Sequence, residues 1–315
     1  MSPATNNNDF FSRLVDSKCQ KVTFNKDLSA TSVLYIKRED QIHDVVSGNK
    51  YRKLKYNLTE AINNGNKCLL TFGGAYSNHI AAVAAAGHEL GLETIGIIRG
   101  EEVAASVESN PTLSFAKSKG MQFYFVSREQ YKEKTNSEFT NILRKKFGSF
   151  YLIPEGGTNA QAVLGCEEIL NKSDLDFDYI CTPVGTGGTI AGLINASGLD
   201  QTVIGFSSLK GTFQKEYIEA SVRKRNYLIT DAYCFGGYAK IDSQLIRFIN
   251  EFKKTHGIPL DPIYTGKMMF GIFDLLKQGY FKENSRILAV HTGGLQGILG
   301  MNQLLKKKKL PQIDL

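Results

Sequence analysis

No two of the five cysteines (Cys19, Cys68, Cys166, Cys181 and Cys234) stand in C-x-x-C spacing, and their odd number and wide separation exclude a disulfide framework. They fit a reducing compartment, so a cytoplasmic setting is expected. The histidines His43, His79, His88, His256 and His291 form no H-E-x-x-H, so neither a structural nor a catalytic zinc site is expected. No apolar run approaches the roughly 18 to 20 residues of a membrane span. Met1 to Asp9 lacks the basic-then-apolar order of a signal peptide, so no membrane partner is expected. The chain has no G-x-x-x-x-G-K-[ST], which removes the main support for ATP or GTP chemistry.

The 315 residues, 42% hydrophobic and 22% charged, are enough for two lobes of an ordinary globular protein. The formal charge of +7 is spread among acidic residues except at Lys306-Lys307-Lys308-Lys309, which reads as a solvated end. With no nucleic-acid-binding signature beside it, the basicity points to small anionic ligands. Eight short apolar runs read as strands: 32–36, 67–72, 94–98, 122–126, 150–153, 179–183, 202–207 and 286–291. Helical segments separate them, and such crossovers imply parallel sheets. The expected fold class is α/β, two open twisted parallel-sheet lobes with helices on both faces and a cleft between them. The polar, basic stretch Ser208 to Asp231 reads as an exposed helix and turn.

In Ser47-Gly48-Asn49-Lys50-Tyr51-Arg52-Lys53, two lysines three apart share one face of a helix that continues with an apolar stripe at Leu54, Leu58 and Ile62. A lysine becomes a Schiff-base nucleophile when a neighbouring cation or a dry pocket lowers its pKa, and Lys53 is such a cation beside Lys50. The bland alternative is a surface helix of solvated lysines. Against it stand four places where a strand runs into glycines and then a helix: Gly73-Gly74, Gly156-Gly157, Gly185 to Thr189, and Gly293-Gly294. Glycine permits close backbone approach, and the N–H groups opening a helix bind anions. Gly185 and Gly187 are followed by Ile190 where a dinucleotide fingerprint needs glycine, so the loop suits a compact terminal phosphate. A phosphate, a buried lysine and no metal together point to pyridoxal phosphate.

These residues, in this order, resemble the family of 1-aminocyclopropane-1-carboxylate deaminase and D-cysteine desulfhydrase, pyridoxal-phosphate enzymes of the tryptophan-synthase-β fold type. The resemblance runs from Lys37-Arg38-Glu39-Asp40 through Gly48-Asn49-Lys50, Ser77-Asn78-His79, Pro154-Glu155-Gly156-Gly157, Gly185 to Thr189 and Asp261-Pro262-Ile263-Tyr264-Thr265-Gly266-Lys267 to His291-Thr292-Gly293-Gly294. It implies a large cofactor-binding lobe of residues 1–53 plus 156–315, and a small lobe of 54–155. It makes Lys50 the Schiff-base lysine and proton carrier at Cα. Lys53, Gly185, Thr186, Gly187, Gly188 and Thr189 become the phosphate site. Asn78 is placed at the phenolic oxygen, Ser77 at the substrate carboxylate, and Tyr264 and Tyr238 beside the substrate. Family members are commonly dimers, so a homodimer is implied, as is a small amino-acid substrate.

The ring-opening deaminases carry glutamate after the family tyrosine, near the pyridine nitrogen, whereas this chain has Thr265. A carboxylate there keeps the nitrogen protonated and strengthens the electron sink; a hydroxyl from Thr265 or Thr292 leaves it largely neutral. Ring opening without an activated leaving group needs the stronger sink and thiol elimination is easier, so D-cysteine β-elimination is expected ahead of aminocyclopropane-carboxylate deamination. His79, where deaminases often have glutamine, leans the same way. Ile80-Ala81-Ala82-Val83, where desulfhydrases usually have a polar, arginine-containing stretch, cuts against it. A serine/threonine dehydratase-like eliminase and a non-catalytic phosphate-ligand binder are the remaining alternatives.

Overall fold

The computed structural model describes residues 16–23, 31–211 and 214–314. Among these residues ten strands form two sheets. The first contains β1 (Cys19–Val22), β2 (Val33–Lys37), β7 (Tyr179–Val184), β8 (Thr202–Ser207), β9 (Tyr227–Thr230) and β10 (Arg286–Val290), in the order β1-β2-β10-β7-β8-β9. The second contains β3 (Cys68–Gly73), β4 (Glu93–Arg99), β5 (Gln122–Val126) and β6 (Tyr151–Ile153), in the order β5-β4-β3-β6. All pairings are parallel except that of β1 with β2.

The helices are α1 (Asn49–Asn63), α2 (Asn78–Leu90), α3 (Pro111–Ser118), α4 (Arg128–Lys132), α5 (Ser137–Phe147), α6 (Ala160–Glu167), α7 (Gly188–Ala196), α8 (Lys215–Ser221), α9 (Ser243–His256), α10 (Thr265–Lys277) and α11 (Gly297–Lys307). Every residue of β3 is buried, as expected of a central parallel strand covered on both faces. In α2 the Ser77 hydroxyl accepts from Ile80 N–H at the start, and Gly91, at φ 68°, closes the end. Between those caps Ile80 to Gly87 are all buried, so this helix is packed on every side.

All eight expected strands are present, with ends moved by one residue at most. Two were not anticipated. β1 is polar and pairs antiparallel at one edge, and an edge strand open to water does not need an apolar run. β9 lies in the stretch read as helix and turn; α8 supplies the helix, but Tyr227–Thr230 adds a half-exposed strand at the opposite edge.

One buried ion pair braces the start of α1 and another the end of β2. Arg52 donates two bonds of 2.9 Å to the fully buried Glu39, and Lys37 meets Asp174 at 2.6 Å. α6 lies so close to α1 that a Cβ on Gly165 would stand 1.9 Å from the Arg52 carbonyl oxygen. α1 continues unbroken through residues 53 and 54. The carboxyl ends of β3, β6, β7 and β10 run into the four glycine loops, where ligands of open α/β sheets collect.

Candidate active site

The four loops and the first turn of α1 enclose a cavity of about 870 Å³, lined among others by Lys50, Lys53, Ser77, Asn78, Gly185, Thr186, Gly187, Thr189, Tyr238, Tyr264 and Thr292. The sequence separates these residues by more than 200 positions, and the two sheets bring them to one crevice.

α1 starts at Gly48, whose φ of 66° and position against the β10 loop suit only glycine: a Cβ would lie 2.0 Å from the Thr292 carbonyl oxygen. Asn49 N–H donates to that oxygen at 3.2 Å, so the β10 loop and the helix start are one unit. The Asn49 amide donates to Thr189 Oγ1 at 2.8 Å and accepts from Lys50 Nζ at 3.1 Å, which links the lysine to the β7 loop. Burial, and then the charge of Lys53, lower the Lys50 pKa to about 7, so a free amine is available near neutrality. Burial lowers that of Lys53 to about 8. Lys53 Nζ donates to Gly156 O at 3.0 Å and Thr158 Oγ1 at 2.9 Å, and stands 3.5 Å from Thr186 Oγ1.

The β7 loop turns at Gly187, φ 96°, into the first turn of α7. The leading N–H groups of a helix have no carbonyl behind them, so Gly188 and Thr189 present donors beside the Lys53 ammonium and the Thr186 hydroxyl. A Cβ on Gly188 would be 3.3 Å from Lys53 Nζ, which puts cation and helix start at one point.

On the opposite wall Ser77 caps α2, and Asn78 follows with its Oδ1 buried and without a partner. His79, barely exposed, was not among the expected site residues. The Thr71 hydroxyl donates to Ile153 O at 2.8 Å and therefore accepts from His79 Nε2–H at 2.8 Å. That leaves Nδ1 bare and unpartnered on a cavity residue. Burial, reinforced by Lys50 and Lys53, holds the His79 pKa well below its ordinary value, so the ring is neutral. Arg99, Tyr76 and Glu155 also line the cavity without having been anticipated. Arg99 and Tyr76 come from a strand end and a loop that no short motif marks, whereas Glu155 lies within the Pro154-Glu155-Gly156-Gly157 element without having been given a role.

Tyr264 stands at the start of α10, its N–H donating to Asp261 Oδ2 at 2.9 Å. Its ring lies 6.3 Å from that of Tyr238. Burial raises both phenols, Tyr264 well above its ordinary value. Thr265 requires a correction. It is fully buried off the cavity wall, its hydroxyl donating to Asp261 Oδ1 at 2.8 Å and accepting from Asp261 N–H at 2.9 Å. Of the two threonines considered for the ring nitrogen, only Thr292 is on the wall.

A phosphorylated carbonyl cofactor fits these residues. Lys53, Thr186, Thr189 and the α7 start suit the phosphate, Lys50 the carbonyl, the Asn78 Nδ2 donor the phenolic oxygen, and Thr292 the ring nitrogen. Residues 18–293 match the pyridoxal-phosphate-dependent enzyme family. The chain belongs to that family. Among its relatives, a putative 1-aminocyclopropane-1-carboxylate deaminase of Pyrococcus horikoshii is 32% identical over 84% of this chain and 85% of its own length. A mitochondrial bifunctional D-cysteine desulfhydrase/1-aminocyclopropane-1-carboxylate deaminase of Arabidopsis thaliana is 30% identical over 84% of this chain and 73% of its own. A crystal structure of an ACC deaminase homologue superposes with a TM-score of 0.79 at 28% identity, covering 98% of this chain and 99% of that one. Membership of an enzyme family sets aside the non-catalytic phosphate binder.

Proposed function

We propose that the protein is a D-cysteine desulfhydrase, a lyase that eliminates the thiol from a small D-amino acid to give pyruvate, hydrogen sulfide and ammonia. One observation carries the choice. Among the described residues the only carboxylate on the cavity wall is Glu155, and it is held by the Tyr131 hydroxyl at 2.7 Å and Lys134 at 3.5 Å. With Thr292 on the wall instead, it is a hydroxyl that would face the ring nitrogen of the bound cofactor, which would leave a weak electron sink that suffices for a good leaving group such as thiolate.

Pyridoxal phosphate, when bound, supplies a carbonyl that condenses with an amine and a conjugated ring that delocalises the electron pair released when Cα loses its proton. Lys50, its pKa near 7, holds and moves that proton. Lys53 and the α7 N–H groups anchor the phosphate. Ser77 and Asn78, at the opening of α2, orient the substrate carboxylate and the phenolic oxygen. Tyr264 and Tyr238, both protonated at neutral pH, face the departing group and can donate a proton to it. In the same reading, residues 54–155 form the small lobe over the site and residues 1–53 plus 156–315 the large one. On this reading the protein is also cytoplasmic, in keeping with its five free cysteines, and a homodimer, as the family resemblance implies.

The deciding experiment measures keto acids from the cofactor-saturated protein given D-cysteine, L-cysteine or aminocyclopropane carboxylate in parallel. Pyruvate from D-cysteine with no 2-oxobutyrate from the cyclic substrate is expected. Efficient ring opening would overturn the electron-sink reasoning and move the assignment to the deaminase.

A further inference from the structure

The segment that carries Tyr238 is two consecutive turns. Gly237 N–H donates to Cys234 O at 3.0 Å, and Lys240 N–H donates to Gly237 O at 3.1 Å. Four of its residues have positive φ: Phe235 at 53°, Gly236 at 86°, Gly237 at 118° and Ala239 at 55°. The two glycines adopt such angles freely, but Phe235 and Ala239 are strained there, and a strained loop persists only when its surroundings hold it.

What holds it is a buried lysine on another element. Lys267, in the first turn of α10 and only 1% exposed, donates from Nζ to Cys234 O and to Gly237 O, each at 2.8 Å. These are the two carbonyls that already close the turns, so one ammonium takes the second lone pair of each and ties the turns together. Among the described residues Lys267 has no carboxylate within ion-pair distance. Burying an ammonium against two carbonyls alone is costly for the fold, and an apolar side chain of similar size would fill the space at less cost. Stability therefore does not account for the lysine, whereas geometry does. Tyr264 opens α10 three residues before Lys267, and Tyr238 follows directly on Gly237, the residue the two clamped turns share, as the first central residue of the second turn. One helix start thus sets the positions of both cavity tyrosines, whose rings meet at 6.3 Å.

We infer that Lys267 is a positioning residue that clamps the Cys234–Lys240 turns and so holds the Tyr238 hydroxyl beside Tyr264 at the reacting end of the cavity. The catalytic part of this inference rests on the reading of Tyr238 given above; the clamp itself does not.

The test uses the holoenzyme and Lys267→Met, with Lys267→Gln as a second variant that keeps amide donors should the first not fold. Hydrogen exchange of the peptide spanning residues 234–240 is expected to rise by about tenfold or more, the loss that follows from removing charge-assisted hydrogen bonds. Exchange in the rest of α10 and the melting temperature should hold, because both carbonyls keep their turn bonds. Turnover of Lys267→Met should fall by about tenfold at unchanged KM, and Lys267→Met in a Tyr238→Phe background should add almost nothing, since residues acting through one group are not additive. Unchanged exchange at 234–240 would overturn the clamp. Equal turnover losses in both backgrounds would overturn its action through Tyr238. Loosened exchange with full activity of Tyr238→Phe alone would leave the clamp standing and sink the role given to Tyr238.

Discussion

Lys50 and Lys53 differ in what surrounds them more than in what they are. Lys53 is held by Gly156 O and Thr158, as suits a fixed cation, whereas Lys50 has a single side-chain acceptor, Asn49, and a pKa near 7. Replacing Lys50 with alanine should remove the visible absorption of the lysine-bound cofactor and lower turnover by about a thousandfold or more, since its general acid–base role is lost with its covalent one. Retained activity would displace Lys50 from the centre of the reaction. The same burial has a consequence for stability. Between about 7 and the ordinary 10.5 the unfolded chain keeps a proton on Lys50 that the folded, cofactor-free protein has released, so stability rises with pH across that window; Lys53, at about 8, acts in the same direction. The urea midpoint of the cofactor-free protein should therefore increase between pH 7 and pH 9 by more than that of Lys50→Met. Parallel changes in the two proteins would show that Lys50 is not desolvated. The lysine pair was legible in the sequence because i, i+3 spacing is local. The fate of Thr265 was not: Asp261 stands only four residues away, but spacing alone does not say that it engages both the hydroxyl proton and the lone pair of Thr265 and so turns that side chain away from the cavity.

At the scale of elements, the site depends on helix starts pressed against loops from other strands. Gly48 is the tightest of these contacts, with positive φ and the Thr292 carbonyl where a side chain would go. Gly48→Ala must push the β10 loop away or unwind the first turn of α1, and either displaces Lys50 and Thr292 together. A loss of about 2–4 kcal/mol in stability is expected, the range for enforced strain in a packed backbone. Cofactor affinity measured by absorption titration should fall with it, and an unaltered affinity would show that the two elements are not coupled. Strands in the centre of the sheets were readable as apolar runs because both their faces are covered. β5 and β6, at the edges of the second sheet, were readable as apolar runs too, whereas β1 and β9 are four-residue, largely uncovered edge strands that only their pairing identifies.

For the whole molecule, the cavity is a joint product of two sheets, and a ligand that touches α1, α2, α7 and the β10 loop at once must stabilise all of them. Stripping the cofactor should lower the melting temperature by several degrees, since saturation at about a hundred times Kd contributes about 2.7 kcal/mol. The decrement should shrink in Lys53→Met, which loses the phosphate cation but keeps the fold, and an equal decrement would remove Lys53 from the phosphate site.

The sequence by itself determined the α/β class, the central strands, the glycine loops and the lysine pair, because each is written in residues close together along the chain. Only the tertiary structure decided which of the tyrosines, threonines and carboxylates share one cavity, that Thr265 turns inward to Asp261, that His79 carries a bare Nδ1, and that Lys267 reaches back to the Tyr238 turns. Most of those facts are contacts between positions tens to hundreds of residues apart, and even the local ones, Thr265 with Asp261 and His79 with Thr71, depend on side-chain burial and hydrogen-bond satisfaction that are fixed only once the sheets and helices have packed.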